Sequence, residues 1–358
     1  MKPRTIAKLL RTGQVPVLLR LELLVRPLYR ASFVASAASS GVLALLAGGP
    51  VPFDRIALHL GTAPDDHEML RGWLELGVRL KELGRDHGGY RLRGWWSRKL
   101  AQPRHDVAAA ALEEVVRYHQ DVLAAAPPVT GRKRFSLADQ DGELVARATR
   151  ILEPFVQEAV DLVLPRGGSL RWLEVGCGEA AHVRHACARN PDLQVTAIDL
   201  QPQVAEIAAR NVERWGLAAR VAVRAGDVRT EPLEPGFDVI TLHNLIYYFP
   251  LRERVALLER LRALLAPGGR LLITSGCRGG NLGLEVINLW FAASDAGGPL
   301  PDPADLRAQL LAAGFAGVEL HNLKPGDAYY AFIGHNRAAD VRVGRPAPAP
   351  RPGEVRSW

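Results

Sequence analysis

The sequence predicts a two-part chain: a mainly helical front half, and behind it an α/β domain with a seven-stranded, mostly parallel sheet whose last strand runs antiparallel. Three observations predict this. At 358 residues the chain exceeds one ordinary domain. Up to about residue 164 the apolar residues recur at helical spacing, whereas from Leu170 short apolar runs alternate with amphipathic segments. Finally, no helical pattern separates the last two apolar runs, so these two should form a hairpin.

Taken in order, residues 1–30 form a basic arm with seven Lys or Arg against Glu22 alone. Residues 31–53 carry no charge, but their four Ser and interspersed Gly and Pro leave an apolar stretch, Gly41–Ala47, far shorter than the roughly 20 residues of a membrane span. No signal peptide is read at the start, although an amphipathic arm lying on a partner subunit or a membrane surface stays open.

Residues 31–164 are expected to be a helical unit with helices over 27–46, 53–60, 67–83, 106–125 and 138–164. A short helix, a turn, a longer helix and a small hairpin over 86–92 make the first part winged-helix-like. Such a module either reads DNA or pairs subunits. On the longer helix and its flank, Arg71, Arg79, Lys81 and Arg85 are cancelled by Glu68, Glu75, Glu82 and Asp86, and phosphate affinity needs uncancelled cations. Subunit pairing is therefore expected, as a homodimer.

Residues 165–337 carry strands expected over 171–176, 194–199, 220–225, 237–242, 269–275, 317–322 and 328–334, with helices over 180–189, 202–215, 252–265 and 303–313. Residues 338–358, rich in Pro, Ala, Arg and Gly, are expected to be a disordered tail. Of the net charge of +7, +6 lies in the first 30 residues and +3 from Arg337 onward, so the middle is near −2 and is no basic nucleic-acid surface. The three cysteines, Cys177, Cys187 and Cys277, show no metal spacing and cannot all pair, which points to a reducing, cytoplasmic setting.

The chemistry-bearing motif follows the first strand. Trp172-Leu173-Glu174-Val175 leads into Gly176-Cys177-Gly178-Glu179-Ala180-Ala181, where small residues let backbone N–H groups and a helix N-terminus approach a ligand. Alone this Gly-x-Gly-x-x-Ala run also fits a dinucleotide fingerprint, with Asp199 placed about 20 residues on to hold a ribose diol. Ala225-Gly226-Asp227-Val228 closes the third strand, and Phe237-Asp238-Val239-Ile240 leads through a helix to Leu265-Ala266-Pro267-Gly268-Gly269.

In this order and spacing, residues 158–335 resemble the class I S-adenosylmethionine-dependent methyltransferases, which have a Rossmann-like fold. The resemblance implies S-adenosyl-L-methionine as cofactor and S-adenosyl-L-homocysteine as product. It implies cofactor-binding roles for Glu174, Gly176, Gly178, Asp199, Leu200, Asp227, Val228, His243 and Asn244, with Glu174 as the acid two residues before the first glycine and Asp227 at the adenine amino group. The third glycine of the family pattern is Ala180 here.

The two-part layout resembles the winged-helix small-molecule O-methyltransferases, whose catalytic loop reads His-Asp-Trp. Aligned on Phe249-Pro250, the position of the basic His holds Tyr247 and that of Asp holds Tyr248. A tyrosine with a pKa near 10 is a poor base, so the pair is expected to hold the substrate through its hydroxyls and present ring faces to the sulfonium. Tyr247, Tyr248 and His243 are the catalytic candidates, His243 being either a base or a lining residue. Tyr248, Asn288, Trp290, Tyr329 and Tyr330 are the substrate candidates, with core packing the alternative for Trp290 and one of the last two tyrosines. A metal held by His243 and His321 lacks an identifiable third carboxylate, so none is expected.

The expected function is methyl transfer to a small molecule in specialised metabolism. Two other readings stay open: another use of the sulfonium, by aminocarboxypropyl transfer or by cyclisation releasing methylthioadenosine, and a DNA-binding regulator that senses S-adenosylmethionine.

Overall fold

The computed structural model describes residues 8, 10–125, 134–295 and 297–337; the expected tail over 338–358 and the first seven residues of the basic arm lie outside these. The front half opens with a long helix, α1 (Gln14–Ser39), then α2 (Val42–Leu46), α3 (Phe53–Leu60) and α4 (His67–Arg79). A hairpin of β1 (Leu83–Asp86) and β2 (Gly89–Leu92) follows, paired from Leu83↔Leu92 to Asp86↔Gly89. The short helix, turn, longer helix and hairpin thus stand in the expected order. The longer helix stops at Arg79 rather than Leu83, because Leu83 is fully buried at the start of the hairpin instead.

The core of this half joins Phe33 and Val34 of α1 to Leu43, Ile56, Leu70, Leu74, Leu83 and Tyr90. Buried Glu82 fastens its rim: it accepts hydrogen bonds from the Ser97 amide and hydroxyl and lies 3.3 Å from the Arg30 guanidinium. Helix α5 (Trp95–Leu100) leads to α6 (Asp106–Glu114), which continues as a π turn over Val115–His119 and then α7 (Gln120–Ala125). The sequence suggests one uninterrupted helix here; the π turn inserts an irregularity of a kind common at functional sites. The single helix expected over 138–164 is likewise divided, into α8 (Gly142–Thr149), a tight turn at Arg150–Leu152, and α9 (Glu153–Val163). Asp141 caps α8 by accepting from the Glu143 and Leu144 amides.

The second half contains β3 (Arg171–Val175), α10 (Ala181–Arg189), β4 (Gln194–Asp199), α11 (Pro202–Arg214), β5 (Val221–Ala225), β6 (Phe237–His243), α12 (Arg254–Leu264), β7 (Leu265–Gly276), α13 (Leu282–Ala292), α14 (Pro303–Ala312), β8 (Gly317–Asn322) and β9 (Tyr329–His335). The seven strands stand in the order β5-β4-β3-β6-β7-β9-β8. The first five are parallel to one another, and β9 runs antiparallel to both its neighbours.

Both faces of the sheet are covered, which is why the strands read as near-continuous apolar runs. Trp172 points to one face, with Val160 of α9 and Val183 of α10; Leu173 points to the other, with Leu258 of α12 and Leu306 of α14. Strand order reverses between β3 and β6, so a crevice opens at their carboxyl ends, where open α/β sheets place their ligands. Among the described residues, no helix is long and apolar enough to cross a membrane.

Candidate active site

A cleft of about 420 Å³ lies at that crevice, within the range of small-molecule sites. Its base is the turn after β3. Gly176 (φ 71) and Gly178 (φ 53) both take left-handed backbone conformations. A Cβ on Gly176 would stand 2.8 Å from the Leu245 side chain, whereas the space beside Gly178 is open. Ala180, at the third position of the pattern, also adopts φ 63 and starts α10. Only a small side chain fits there, since Ala180 is fully buried.

Asp199, at the end of β4, locks this turn: its carboxylate accepts from the Gly178 amide at 3.1 Å and the Gln201 amide at 3.0 Å. Burial raises its pKa, against these two hydrogen bonds. Leu200 beside it is exposed and lines the cleft, as do Asp227 and the buried Val228. Asp227 is gripped by Arg229, whose Nη2 donates to it at 2.7 Å. That bond lowers the Asp227 pKa and keeps it ionised.

Glu174 does not reach the cleft. It is fully buried, and His182, on the first turn of α10, donates to it across 2.8 Å and stands between it and the opening. The Thr241 hydroxyl bonds its other oxygen, while Trp172 donates to Thr241 at 2.5 Å. Burial would lower the His182 pKa, but the charge and hydrogen bond of Glu174 outweigh it and raise it. His243, at the end of β6, lies 2.9 Å from the Thr274 hydroxyl through Nδ1. Burial, with His182 nearby, holds its pKa well below the usual histidine value.

Asn244 follows in a left-handed conformation (φ 52). Its amide N–H donates to the Thr274 carbonyl at 2.8 Å and its side chain to the Tyr329 hydroxyl at 3.1 Å. Tyr247 and Tyr248 occupy a single tight turn, rings stacked with centroids 5.4 Å apart. Phe291 of α13 meets both rings at 4.7 and 4.8 Å. Desolvation raises both hydroxyl pKa values, Tyr247's strongly. The turn is clamped from behind: the Gly298 amide donates to the Tyr247 carbonyl, and buried Arg254 donates to the carbonyls of Phe249 and Pro299.

Of the substrate candidates, Tyr248 lines the cleft and four others do not. Asn288 accepts from the Leu300 amide at 2.9 Å and anchors that segment. Trp290 is buried between Phe135 and Phe291. Tyr329 is buried beneath Asn244, with its pKa pushed up to about 12 by burial. Tyr330 packs toward Phe332. The odd and even positions of β9 point to opposite faces, which sends Tyr329 and Tyr330 into different layers and neither into the opening. His321, on β8, hydrogen-bonds Glu319 at the sheet edge and is remote from His243 in the sheet order.

Several residues of the site were not anticipated. His182, Glu153, Arg252 and Asp295 line the cleft. Glu114, at the end of α6, is half-buried, and desolvation raises its pKa to about 7. Its charge is felt at both the Tyr247 and Tyr248 hydroxyls, yet among the described residues it has no hydrogen-bond or ion-pair partner. The one available signal was the Glu113-Glu114 pair that closes the apolar run Val107–Leu112.

Residues 173–271 match a methyltransferase domain. Over 336 residues the chain is 26% identical to the demethylspheroidene O-methyltransferase of Cereibacter sphaeroides, covering 86% of this chain and 82% of that protein. Its fold superimposes on the mitomycin 7-O-methyltransferase MmcR with a TM-score of 0.71 at 19% identity, covering 91% of this chain and 99% of that one. It also matches the O-methyltransferase NcsB1, solved with S-adenosylhomocysteine and a dihydroxynaphthoic acid, with a TM-score of 0.65 at 20% identity, covering 86% and 96%.

The chain is a class I S-adenosylmethionine-dependent methyltransferase. The structure fits the cofactor: the glycine turn leaves the space beside Gly178 free, and Asp199 and Asp227 stand along the same wall as carboxylates that can meet hydroxyl and amino groups.

Proposed function

We propose that this enzyme methylates a hydroxyl group of a small, largely apolar molecule of specialised metabolism, enclosed between the glycine turn and the aromatic wall of Tyr247, Tyr248 and Phe291. The observation that carries the reading is that this wall adjoins the cofactor cleft, with one face built by α13 and the π turn of the front half packed behind it. The relatives whose names print an O-methyl transfer act on small molecules, which supports the same acceptor class.

In this reading Gly176, Gly178, Asp199, Leu200, Asp227, Val228 and Asn244 hold S-adenosylmethionine, which supplies an activated methyl group for in-line displacement. Tyr247 and Tyr248 remain protonated, since burial raises both pKa values. They therefore orient the acceptor and present ring faces to positive charge, and positioning supplies much of the rate. His243 is kept neutral and lies against Thr274, which makes it a lining group. Glu114, poised near neutrality, takes the acceptor's proton.

The enzyme works as a cytoplasmic homodimer. Exposed Leu19, Leu23 and Leu24 on α1 support pairing through the front half, and three free, buried cysteines suit a reducing compartment. The test is incubation with S-adenosylmethionine and a panel of apolar alcohols, phenols, amines and acids, followed by mass spectrometry. S-adenosylhomocysteine formed only with hydroxylated acceptors is the expected result. Methylthioadenosine formed without acceptor would overturn the proposal.

A further inference from the structure

The sequence offers His243 and His321 as a pair of metal ligands, and the structure separates them. It brings a different set to His243. Glu174 on β3, His182 on α10 and His243 on β6 each offer one ligand atom, and no two of these atoms are more than 4.8 Å apart. From this geometry we infer that Glu174, His182 and His243 form a binding site for a single divalent transition-metal ion of the zinc type, at the inner wall of the cleft.

The central observation is the Nε2 atom of His243. Its side chain is only 3% exposed, and among the described residues Nε2 has no hydrogen-bond partner. It faces a Glu174 carboxylate oxygen at 3.8 Å, too far for a hydrogen bond. Nδ1 is engaged with the Thr274 hydroxyl at 2.9 Å, which leaves Nε2 as the ring nitrogen turned toward Glu174 and open to a ligand. The unpartnered Nε2 edge of His243 and a Glu174 carboxylate oxygen therefore face each other across a buried space. His182 Nε2, 2.8 Å from the other carboxylate oxygen, completes three sides of the same space.

The chemistry of the set agrees. Two imidazoles and one carboxylate are a common donor combination for zinc, with the fourth position left to a small molecule. Ligand atoms about 2.1 Å from a tetrahedral ion lie about 3.4 Å from one another. The 2.8 Å pair must open and the widest pair close, and His182 has the freedom to do this because its side chain lies at the cleft and is partly exposed. Outer partners are already in place: Thr274 behind His243, and Thr241, itself held by Trp172, behind Glu174. Such partners fix ligand orientation and raise ligand basicity. The open position faces the cleft that His182 and His243 both line.

One competing group must be separated in the test. Glu319, His321 and His335 form an exposed cluster at the sheet edge, with contacts of 3.2 and 2.7 Å. The full chain, stripped with chelator, is titrated with cobalt(II) alone and read by visible absorption, then with zinc(II) by equilibrium dialysis. One equivalent of each ion and the visible bands of tetrahedral cobalt are expected. His182→Ala and His243→Ala should each weaken zinc binding by at least ~100-fold, and His321→Ala should leave it unchanged. Because His182 is partly exposed, its variant keeps the test valid even where His243→Ala does not fold. Absence of saturable binding, unchanged affinity in His182→Ala, or loss of binding in His321→Ala would each overturn the proposal. No acceptor or methyl transfer enters this measurement, so its outcome is independent of the acceptor assigned above.

Discussion

Asn244 donates from its side-chain amide to the Tyr329 hydroxyl at 3.1 Å, joining the loop after β6 to the buried start of β9. The bond matters because Asn244 holds a left-handed backbone conformation beside the cleft, one that Asn tolerates better than most residues. Tyr329→Phe leaves the ring in place and removes the acceptor. A loss of roughly 1–2 kcal/mol in stability is expected from the unpaired buried amide, together with weaker S-adenosylhomocysteine binding as Asn244 reorients. Denaturant unfolding and calorimetric titration read the two effects. Unchanged cofactor affinity would show that Tyr329 supports only the core.

Tyr247 is the position at which the resemblance in sequence implies a basic histidine, and desolvation drives its pKa well above the usual tyrosine value. A hydroxyl so reluctant to ionise positions its partner without taking a proton. Tyr247→Phe is therefore expected to reduce kcat by less than about tenfold, the loss of one orienting hydrogen bond. Steady-state rates across pH 6–9 give the answer. A loss above a hundredfold, with a changed pH profile, would make the hydroxyl a participant in proton transfer.

The strands were legible because both faces of the sheet are covered, so each apolar run stands out from its polar turns. Predicted and observed strand ends differ by no more than about one residue, apart from β7, which begins at Leu265 before the glycine turn. Helix α13 was harder. Its residues are apolar almost all round, so no amphipathic face marks them, although Asn281 caps it by accepting from the Leu284 amide. The first-strand motif located the glycine turn and Asp199. The Glu174–His182 pair escaped because it links a strand to the following helix across a turn, a relation with no fixed sequence period. Glu114 escaped for a similar reason: its neighbours Tyr247 and Tyr248 lie in the other half of the chain.

Gly176 gives a purely steric test of the turn. Its φ of 71° disfavours any side chain, and a Cβ there would approach Leu245 to 2.8 Å. Gly176→Ala should destabilise the protein by about 1–3 kcal/mol and displace Leu245, which lines the cleft. Adding Leu245→Ala should restore part of the cofactor affinity, because it removes the clash while leaving the backbone strain. Thermal unfolding and cofactor titration of both variants separate the two contributions; no recovery in the double variant would assign the whole effect to the backbone.

Glu114 makes a prediction whose sign follows from its burial. Its pKa is about 7 in the folded chain against an ordinary value of 4.5. A carboxyl with a raised folded pKa favours folding while protonated, so its contribution is complete below about pH 4.5 and is lost as the pH rises through 7. Glu114→Gln cannot ionise. The variant should match the parent near pH 5 and exceed it in stability near pH 8 by about 1–3 kcal/mol. If Glu114 also takes the acceptor's proton, kcat at pH 8 should fall by roughly 10²–10⁴ in the same variant. Denaturant unfolding at the two pH values and single-turnover methylation at pH 8 test these separately. Greater stability with unimpaired turnover would leave Glu114 as a buried charge with no part in proton transfer, and equal stability at both pH values would show that its carboxyl is solvated.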